Sequence, residues 1–204
     1  MSSVPHTIIA IQAHRTANFT ALLPYLERLG TVELRPPSVV YIDAGVNPQP
    51  DRLRKKLVVI RSAIHILLGA SVRIGAGSSK TVSLIAARSS LPGGITIVNR
   101  GDEGMFLNPI VIDLLPGIGR RTATYLRNRG IRTIGQFRKL PQYAAVKLFG
   151  ASGIVLHEYS GGSDPRQLIP SFTRRTAVRG RQSLFSLFKP MPYQGLSGMV
   201  PQQN

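Results

Sequence analysis

The chain has 204 residues, of which 43% are hydrophobic, which is enough for one medium domain or two small ones. It carries 26 Lys and Arg against nine Asp and Glu, and the net charge of +17 favours a polyanion such as nucleic acid over an anionic membrane. The absence of cysteine excludes disulfides and Cys-based zinc sites, and the four histidines lack metal-ligand spacing. There is no membrane-length apolar run and no signal-peptide pattern. We therefore expect a cytoplasmic, nucleoid-associated protein.

The first half of the chain predicts a mixture of helices and short strands. Residues 7–29 space their leucines in a way that favours one or two helices. Further on, strands are predicted at 38–43, 71–74 and 95–98, and helices at 51–68 and 80–88. Strands that alternate with helices indicate a compact α/β layer.

Residues 115–131, LPGIGRRTATYLRNRGI, predict a helix–hairpin–helix, a module that holds nucleic-acid backbone without reading bases. Its glycines let the main chain approach a ligand, and a helix that begins at Arg120 directs free N–H groups and its positive dipole end at a phosphate. An ordinary turn between two packed helices is the alternative. The predicted DNA contacts are Gly117, Ile118, Gly119, Arg120, Arg121, Thr122, Arg127 and Arg132.

Short helices are predicted to continue at 133–140, 143–149 and 154–159, and the last two enclose a turn that resembles a second, poorer hairpin. Residues 165–204 mix Pro, Gly, Ser and Arg without a carboxylate, which predicts a basic tail without a fixed fold in isolation. These two regions add further predicted DNA contacts at Lys147, Gly150, Gly153, Arg174 and Arg175.

Two other motifs do not predict a site. The segment Gly75 to Thr81 resembles a phosphate-binding P-loop, but Ser79 stands where that motif needs a glycine before the lysine. Asp102 and Glu103 form the sole adjacent carboxylate pair, in a glycine-flanked loop where acidic residues usually face water. We therefore predict neither an NTPase site nor a metal site at these positions.

Four blocks, in order, resemble a Y-family (translesion) DNA polymerase of the UmuC/DinB type. The first is Tyr25 to Glu33, which resembles the helix and turn before the family's second catalytic strand, and the second is Tyr41-Ile42-Asp43, which resembles the end of that strand's pattern S-x-D-E-A-Y-L-D. The third is Gly75 to Gly94, which resembles the family pattern that runs from G-I-x-x-N-K to K-P-x-G. The fourth consists of the thumb-like segments 115–131 and 149–164. The resemblance implies an α+β fold. Residues 1–107 would form a partial palm (an α/β layer), 108–165 an all-helical helix–hairpin–helix thumb, and 166–204 a flexible basic tail or little-finger remnant.

The resemblance fails at the family's metal site. Such polymerases hold two metal ions with a carboxylate from the first palm strand and an adjacent Asp-Glu pair from the second. The alignment places Ser38 and Val39 at that pair, Asp43 at a position that is not a ligand, and Leu91 at the lysine that meets the triphosphate. The first palm strand and the fingers are expected to have no counterpart, because the matching residues begin after them. The chain is thus similar to inactive ImuB-type proteins, which implies no catalytic residue, no metal ligand and no cofactor, with Mg²⁺ needed only if another subunit restored an active polymerase.

The sequence therefore predicts sequence-independent DNA binding by a truncated, non-catalytic polymerase relative in DNA repair and translesion synthesis. Two alternatives stay open: a fragment of an active error-prone polymerase completed by another subunit, and an adaptor that recruits a sliding clamp or a repair polymerase. The adaptor hypothesis rests on residues 182–188, QSLFSLF, which resemble clamp-binding peptides but also fit a little-finger strand or a random apolar patch. Its candidate contacts are Gln182, Leu184, Leu187 and Phe188. We expect DNA as the partner, the clamp or other polymerase subunits as further candidates, and no membrane.

Overall fold

The computed structural model describes residues 6–13, 18–46 and 48–171. At their centre lies a five-stranded sheet with the order β2-β3-β1-β4-β5. Strand β1 pairs antiparallel with β3 and β4, β2 pairs antiparallel with β3, and β5 is parallel to β4. The strands are β1 (His6–Ala13), β2 (Thr31–Arg35), β3 (Val39–Val46), β4 (Val72–Gly77) and β5 (Ile95–Ile97).

The described residues also form eight α-helices and three short 3₁₀ turns. The helices are α1 (Leu23–Leu26), α2 (Pro50–Leu68), α3 (Lys80–Ser89), α4 (Glu103–Leu107), α5 (Arg120–Arg127), α6 (Ile134–Arg138), α7 (Gln142–Phe149) and α8 (Ser152–Ser160). The 3₁₀ turns are Phe19–Leu22, Glu27–Leu29 and Ile112–Leu114.

Different helices cover the two faces of the sheet. Helix α2 begins with Pro50 in its first turn, where a missing N–H costs no hydrogen bond, and ends at Gly69, whose left-handed φ of +59° closes the helix. Its apolar stripe, which includes Leu53, Leu57 and Ile64, packs against the odd-numbered residues of β1. Helix α3 covers the other face, so β1 is apolar on both sides, as is typical of a central strand.

Helix α3 lies between the sheet and the helical part of the chain. All its residues from 80 to 87 are buried. On the sheet side it approaches so closely that a Cβ on Gly75 would lie 2.1 Å from the carbonyl oxygen of Ser83. On the other side, Val82 and Ile85 pack into the core of the helical part, by which we mean α4 to α8; this core is centred on Leu126 and Phe137. The described residues of the sheet and helices therefore share one buried helix.

The α+β class is confirmed, but the prediction for residues 7–29 is wrong in its first part. His6–Ala13 forms the central strand β1, and helical turns begin only at Phe19. Because both faces of β1 are buried, its sequence lacks the alternation of polar and apolar residues that would reveal a strand. Strand β2 and helix α4 were also not predicted, whereas the helices at 51–68 and 80–88 are found within two residues of their predicted ends.

Two expectations drawn from the resemblance are also corrected. A strand does precede the rest of the sheet, since β1 stands beside β3 where the first palm strand belongs. The segment 166–171, assigned to a flexible tail, packs along the edge strand β2. There the N–H of Ser171 donates to Val32 O at 2.8 Å and the N–H of Leu34 donates to Ser171 Oγ at 3.0 Å. These two bonds partly cover the outer edge of the sheet at β2.

Within the described residues, no helix combines the length and the apolar character that a membrane span requires.

Candidate nucleic-acid interface

The turn before α5 is held by its apolar residues and leaves its glycines exposed. Leu115 and Ile118 are buried in the helical core, and the N–H of Ile118 donates to Leu115 O at 3.0 Å. Gly117 has φ +94°, a conformation that favours glycine, and a Cβ there would lie 2.9 Å from Leu156 Cδ2, so that side chain would have to shift. Gly119 is the extended N-cap of α5 and has nothing within 4 Å of a Cβ position. The buried side chain of Ile118 therefore anchors the turn, and a DNA contact at this residue would involve its main chain.

Five backbone N–H groups at this turn have no hydrogen-bond acceptor among the described residues. They belong to Gly117, Gly119, Arg120, Arg121 and Thr122. No side chain caps the start of α5, so the positive end of the helix dipole is not neutralised there. This is the arrangement in which a helix N-terminus binds an anion such as phosphate.

The arginines around the turn are not equivalent. The side chains of Arg120, Arg121 and Arg132 are exposed and have no ion pair within the described part of the chain. Arg127, by contrast, is paired with Asp113 and also donates to Thr124 Oγ1 at 3.0 Å. The sequence grouped this arginine with the free cations because its carboxylate partner lies 14 residues away along the chain.

At the second turn, the N–H groups of both predicted glycines are bonded within the chain. The N–H of Gly150 donates to Val146 O at 2.7 Å and that of Gly153 donates to Gly150 O at 2.9 Å, so neither is available to a phosphate. A Cβ on Gly153 would lie 2.2 Å from Ala145 O, which shows that this glycine permits close packing of α7 on α8. Lys147 is exposed nearby.

The remaining predicted contacts lie outside the described residues. They are Arg174 and Arg175 of the DNA prediction and Gln182, Leu184, Leu187 and Phe188 of the clamp prediction.

The start of α3 is closed by the chain itself and does not form a P-loop. Ser79 caps the helix and donates through Oγ to Gly162 O at 2.9 Å, and Thr81 Oγ1 donates to Asp164 Oδ2 at 2.8 Å. Burial raises the pKa of Asp164, but hydrogen bonds from Arg166 and Thr81 outweigh burial and hold the pKa below its ordinary value. The helix N-terminus that the P-loop interpretation would need is therefore already occupied.

A buried ion pair fixes α3 to the sheet beside this helix start. Lys80 Nζ lies 2.7 Å from Glu33 Oε2, and both side chains are 3% exposed. Glu33 also accepts hydrogen bonds from Arg35 Nε at 2.6 Å and the N–H of Ile169 at 2.8 Å. Burial raises the pKa of Glu33, but these hydrogen bonds lower the pKa by more than burial raises it. The pKa of Glu33 therefore lies below its usual range. Lys80 is thus a structural residue joining β2, α3 and the segment after α8.

The place of the family's metal carboxylates holds no carboxylate in the described residues. Gln12 in β1 lies opposite Val39 in β3, so the neighbouring strand brings an amide, not a carboxylate, beside the position that the resemblance assigns to one of the metal ligands. With Ser38 and Val39 at the adjacent pair, this donor set does not fit two magnesium ions, which prefer carboxylate oxygens. The sequence missed Gln12 because residues 7–29 were interpreted as helical.

The Asp102-Glu103 pair does not form a metal site either. Asp102 accepts from Asn99 at 3.3 Å, and Glu103 accepts from the N–H of Gly101 at 2.7 Å. Across the described residues, no group of three His, Cys, Asp or Glu side chains is suited to hold a metal ion.

No family model matches the chain. It is 31% identical over 144 residues to a DNA polymerase IV of Dehalococcoides mccartyi, covering 70% of this chain and 35% of that protein. It is 30% identical over 150 residues to the DNA polymerase IV of Streptomyces coelicolor, covering 72% and 30%. Among solved structures, DinB from Sulfolobus solfataricus has a TM-score of 0.60 at 23% identity, covering 72% of this chain and 45% of that one. A ternary complex of the Dbh polymerase has a TM-score of 0.61 at 22% identity, covering 74% of this chain and 46% of that one.

The α+β fold of the described residues matches the palm region of solved Y-family polymerases. The chain is a relative of the Y-family DNA polymerases and spans about a third of the length of the curated relatives it matches.

Proposed function

We propose that the chain binds DNA through the sugar–phosphate backbone, without sequence preference and without polymerase chemistry of its own. The observation that carries the proposal is the set of five unpaired N–H groups at the turn before α5. Exposed Arg120, Arg121 and Arg132 surround them, so a phosphate would meet both directional donors and positive charge. The matched relatives are DNA polymerases, which makes DNA the polyanion to test.

The same proposal assigns no catalytic residue. A two-metal polymerase needs carboxylates at the end of β1 and the start of β3, and this chain has Gln12, Ser38 and Val39 there. An amide, a hydroxyl and an isopropyl group do not replace three carboxylates as ligands for Mg²⁺. We expect no primer extension in the presence of Mg²⁺ and all four deoxynucleoside triphosphates, and extension by the purified chain would contradict this part of the proposal.

Gly119→Asp tests the phosphate site in a way that misfolding cannot imitate. The extended N-cap geometry and the empty space around Gly119 accommodate an aspartate, whose carboxylate would accept hydrogen bonds from the first turn of α5 and complement its dipole. We expect the free energy of unfolding to stay equal or to rise by roughly a few tenths of a kcal/mol. DNA affinity should fall about tenfold or more at ~0.1 M salt, because the carboxylate occupies and repels the phosphate position.

Gly119→Asn is the matched control for charge. Its amide oxygen caps the same N–H groups without a negative charge, so its DNA affinity should fall less than that of the aspartate variant. Fluorescence anisotropy with a labelled duplex gives the affinities, and thermal melting monitored by circular dichroism gives the stabilities. If both variants bound DNA as the original chain does, the turn before α5 would not be the phosphate site.

A further inference from the structure

Four side chains form a row across four strands of the sheet, at the strand ends near the C-terminal end of α3. The strand register places Arg35 opposite Val39, Val39 opposite Gln12, and Gln12 opposite Arg73, across β2, β3, β1 and β4. Side chains directly opposite on neighbouring antiparallel strands lie side by side on the same face. We call these four residues the end row. It includes Val39, which the resemblance places at one of the family's metal carboxylates, and Gln12 directly beside it.

The end row is positively charged. Arg73 has no carboxylate partner among the described residues, and Arg35 is 53% exposed although its Nε is bonded to Glu33. Arg88 lies in the last turn of α3, directly after Ala87, which packs in one cluster with Tyr41 and Val39, so α3 brings a third guanidinium to this face of the sheet. Glu33 is shared between Lys80 and Arg35 and leaves Arg73 and Arg88 uncompensated.

The centre of the row contains an unsatisfied polar atom. Gln12 Oε1 is buried and has no hydrogen-bond partner in the described part of the chain. A buried amide oxygen without a donor costs free energy, and an amide can turn to present either its oxygen or its two N–H donors. A phosphate oxygen cannot donate to the amide oxygen, but once the amide turns its N–H groups into the row they can donate to a phosphate.

We propose that the end row binds a phosphate anion directly, with arginines at the place where the related polymerases hold metal ions. This inference rests on the proposed DNA binding and deepens it, because it adds a second backbone contact on the sheet to the one at α5. The phosphate would accept from the Arg73 and Arg88 guanidinium groups and from the Gln12 amide. A DNA backbone phosphate and a free nucleoside triphosphate carry the same anionic oxygens, and both are tested.

The test compares Arg73→Gln and Arg88→Gln with the unaltered full-length chain in anisotropy titrations of a labelled primer–template duplex, in EDTA and at several salt concentrations. Each variant should make the negative slope of log K against log salt less steep by about 0.9. It should also reduce the affinity about five- to tenfold at ~0.1 M salt. The matched control is Arg54→Gln, an equal loss of charge at an exposed position of α2, on the opposite face of the sheet. Its slope and affinity should stay close to those of the unaltered chain.

The outcomes separate this inference from the proposed function. If Arg73→Gln and Arg88→Gln matched Arg54→Gln while Gly119→Asp still weakened binding, the end row would not bind phosphate and the α5 site would stand. Absence of salt-dependent DNA binding by the unaltered chain would overturn both. Competition by a deoxynucleoside triphosphate in EDTA, weaker in Arg73→Gln, would show that the row accepts the free anion. Loss of DNA affinity in Arg73→Gln without such competition would assign the row to the DNA backbone.

Discussion

Glu33 and Lys80 show how single residues join distant parts of this chain. Their ion pair is almost fully buried, and Glu33 also accepts from Arg35 and from the main chain after α8. A buried pair contributes little net stability compared with well-packed apolar residues, but loss of one partner leaves the other charge uncompensated. The pair therefore matters most when it is broken.

Glu33→Gln should lower the free energy of unfolding by about 3–5 kcal/mol at neutral pH, because Lys80 would stay buried without its counter-charge. Urea unfolding followed by circular dichroism measures the effect. The double variant Glu33→Leu with Lys80→Met should recover much of the loss, and Glu158→Gln, an exposed carboxylate, should change stability by less than about 0.5 kcal/mol. Equal losses for Glu33→Gln and Glu158→Gln would contradict the importance of the pair.

The lowered pKa values of Glu33 and Asp164 predict acid sensitivity. A carboxyl whose pKa is lower in the folded chain stabilises the fold above its unfolded pKa of about 4 and loses that contribution as pH falls through the folded pKa. Stability should therefore be constant near neutral pH and fall from about pH 5 downward. Glu33→Gln should be less stable at pH 7 but lose less on acidification, so the two curves converge; parallel curves would show that Glu33 does not contribute.

At the scale of elements, close approach of backbones at glycine decides how the helices pack. Gly153 lies in α8 against the carbonyl of Ala145 in α7, with no space for a methyl group. A Cβ added to Gly104, in α4, would lie 3.2 Å from Arg138 Nη1, which is the end of a long, flexible side chain. These two helical glycines therefore form a matched pair with opposite expectations.

Gly153→Ala should destabilise the chain by about 1–3 kcal/mol, although alanine favours helix over glycine by ~1 kcal/mol. Gly104→Ala should be neutral or stabilising, because the Arg138 side chain can move aside. Thermal melting of both variants tests the packing, and stabilisation by both would show that α7 and α8 do not approach as closely as described.

The sequence predicted some elements well because their local signals agree with their packing. Helix α2 has Pro50 at its start, Gly69 at its end and one apolar stripe that meets one face of the sheet. Strand β1 was missed because a strand buried on both faces shows no alternation, and its apolar residues also fit a helix. Gln12 was missed with it, and the partner of Arg127 was missed because Asp113 is distant in the chain. The clamp-binding segment remains a prediction.

Across the whole molecule, carboxylates are far fewer than cations, and several of them are engaged in contacts within the chain. Most cations therefore have no counter-charge. Among the described residues, the ion pairs with Lys or Arg use Glu33, Asp113 and Asp164, against 26 Lys and Arg in the chain. Such an excess gives long-range attraction to a polyanion and strong dependence on ionic strength. The phosphate sites proposed at α5 and in the end row would supply the short-range contacts.

The most direct test of metal-independent backbone binding is the DNA affinity of the unaltered chain in EDTA, for two duplexes of unrelated sequence, across a series of salt concentrations. Equal affinities for the two duplexes and a linear fall of log K with log salt are predicted, with a slope of about −1.8 or steeper, since at least two phosphates are contacted. A flat salt dependence, a strong preference for one duplex, or binding that appears only when Mg²⁺ is added would contradict the account.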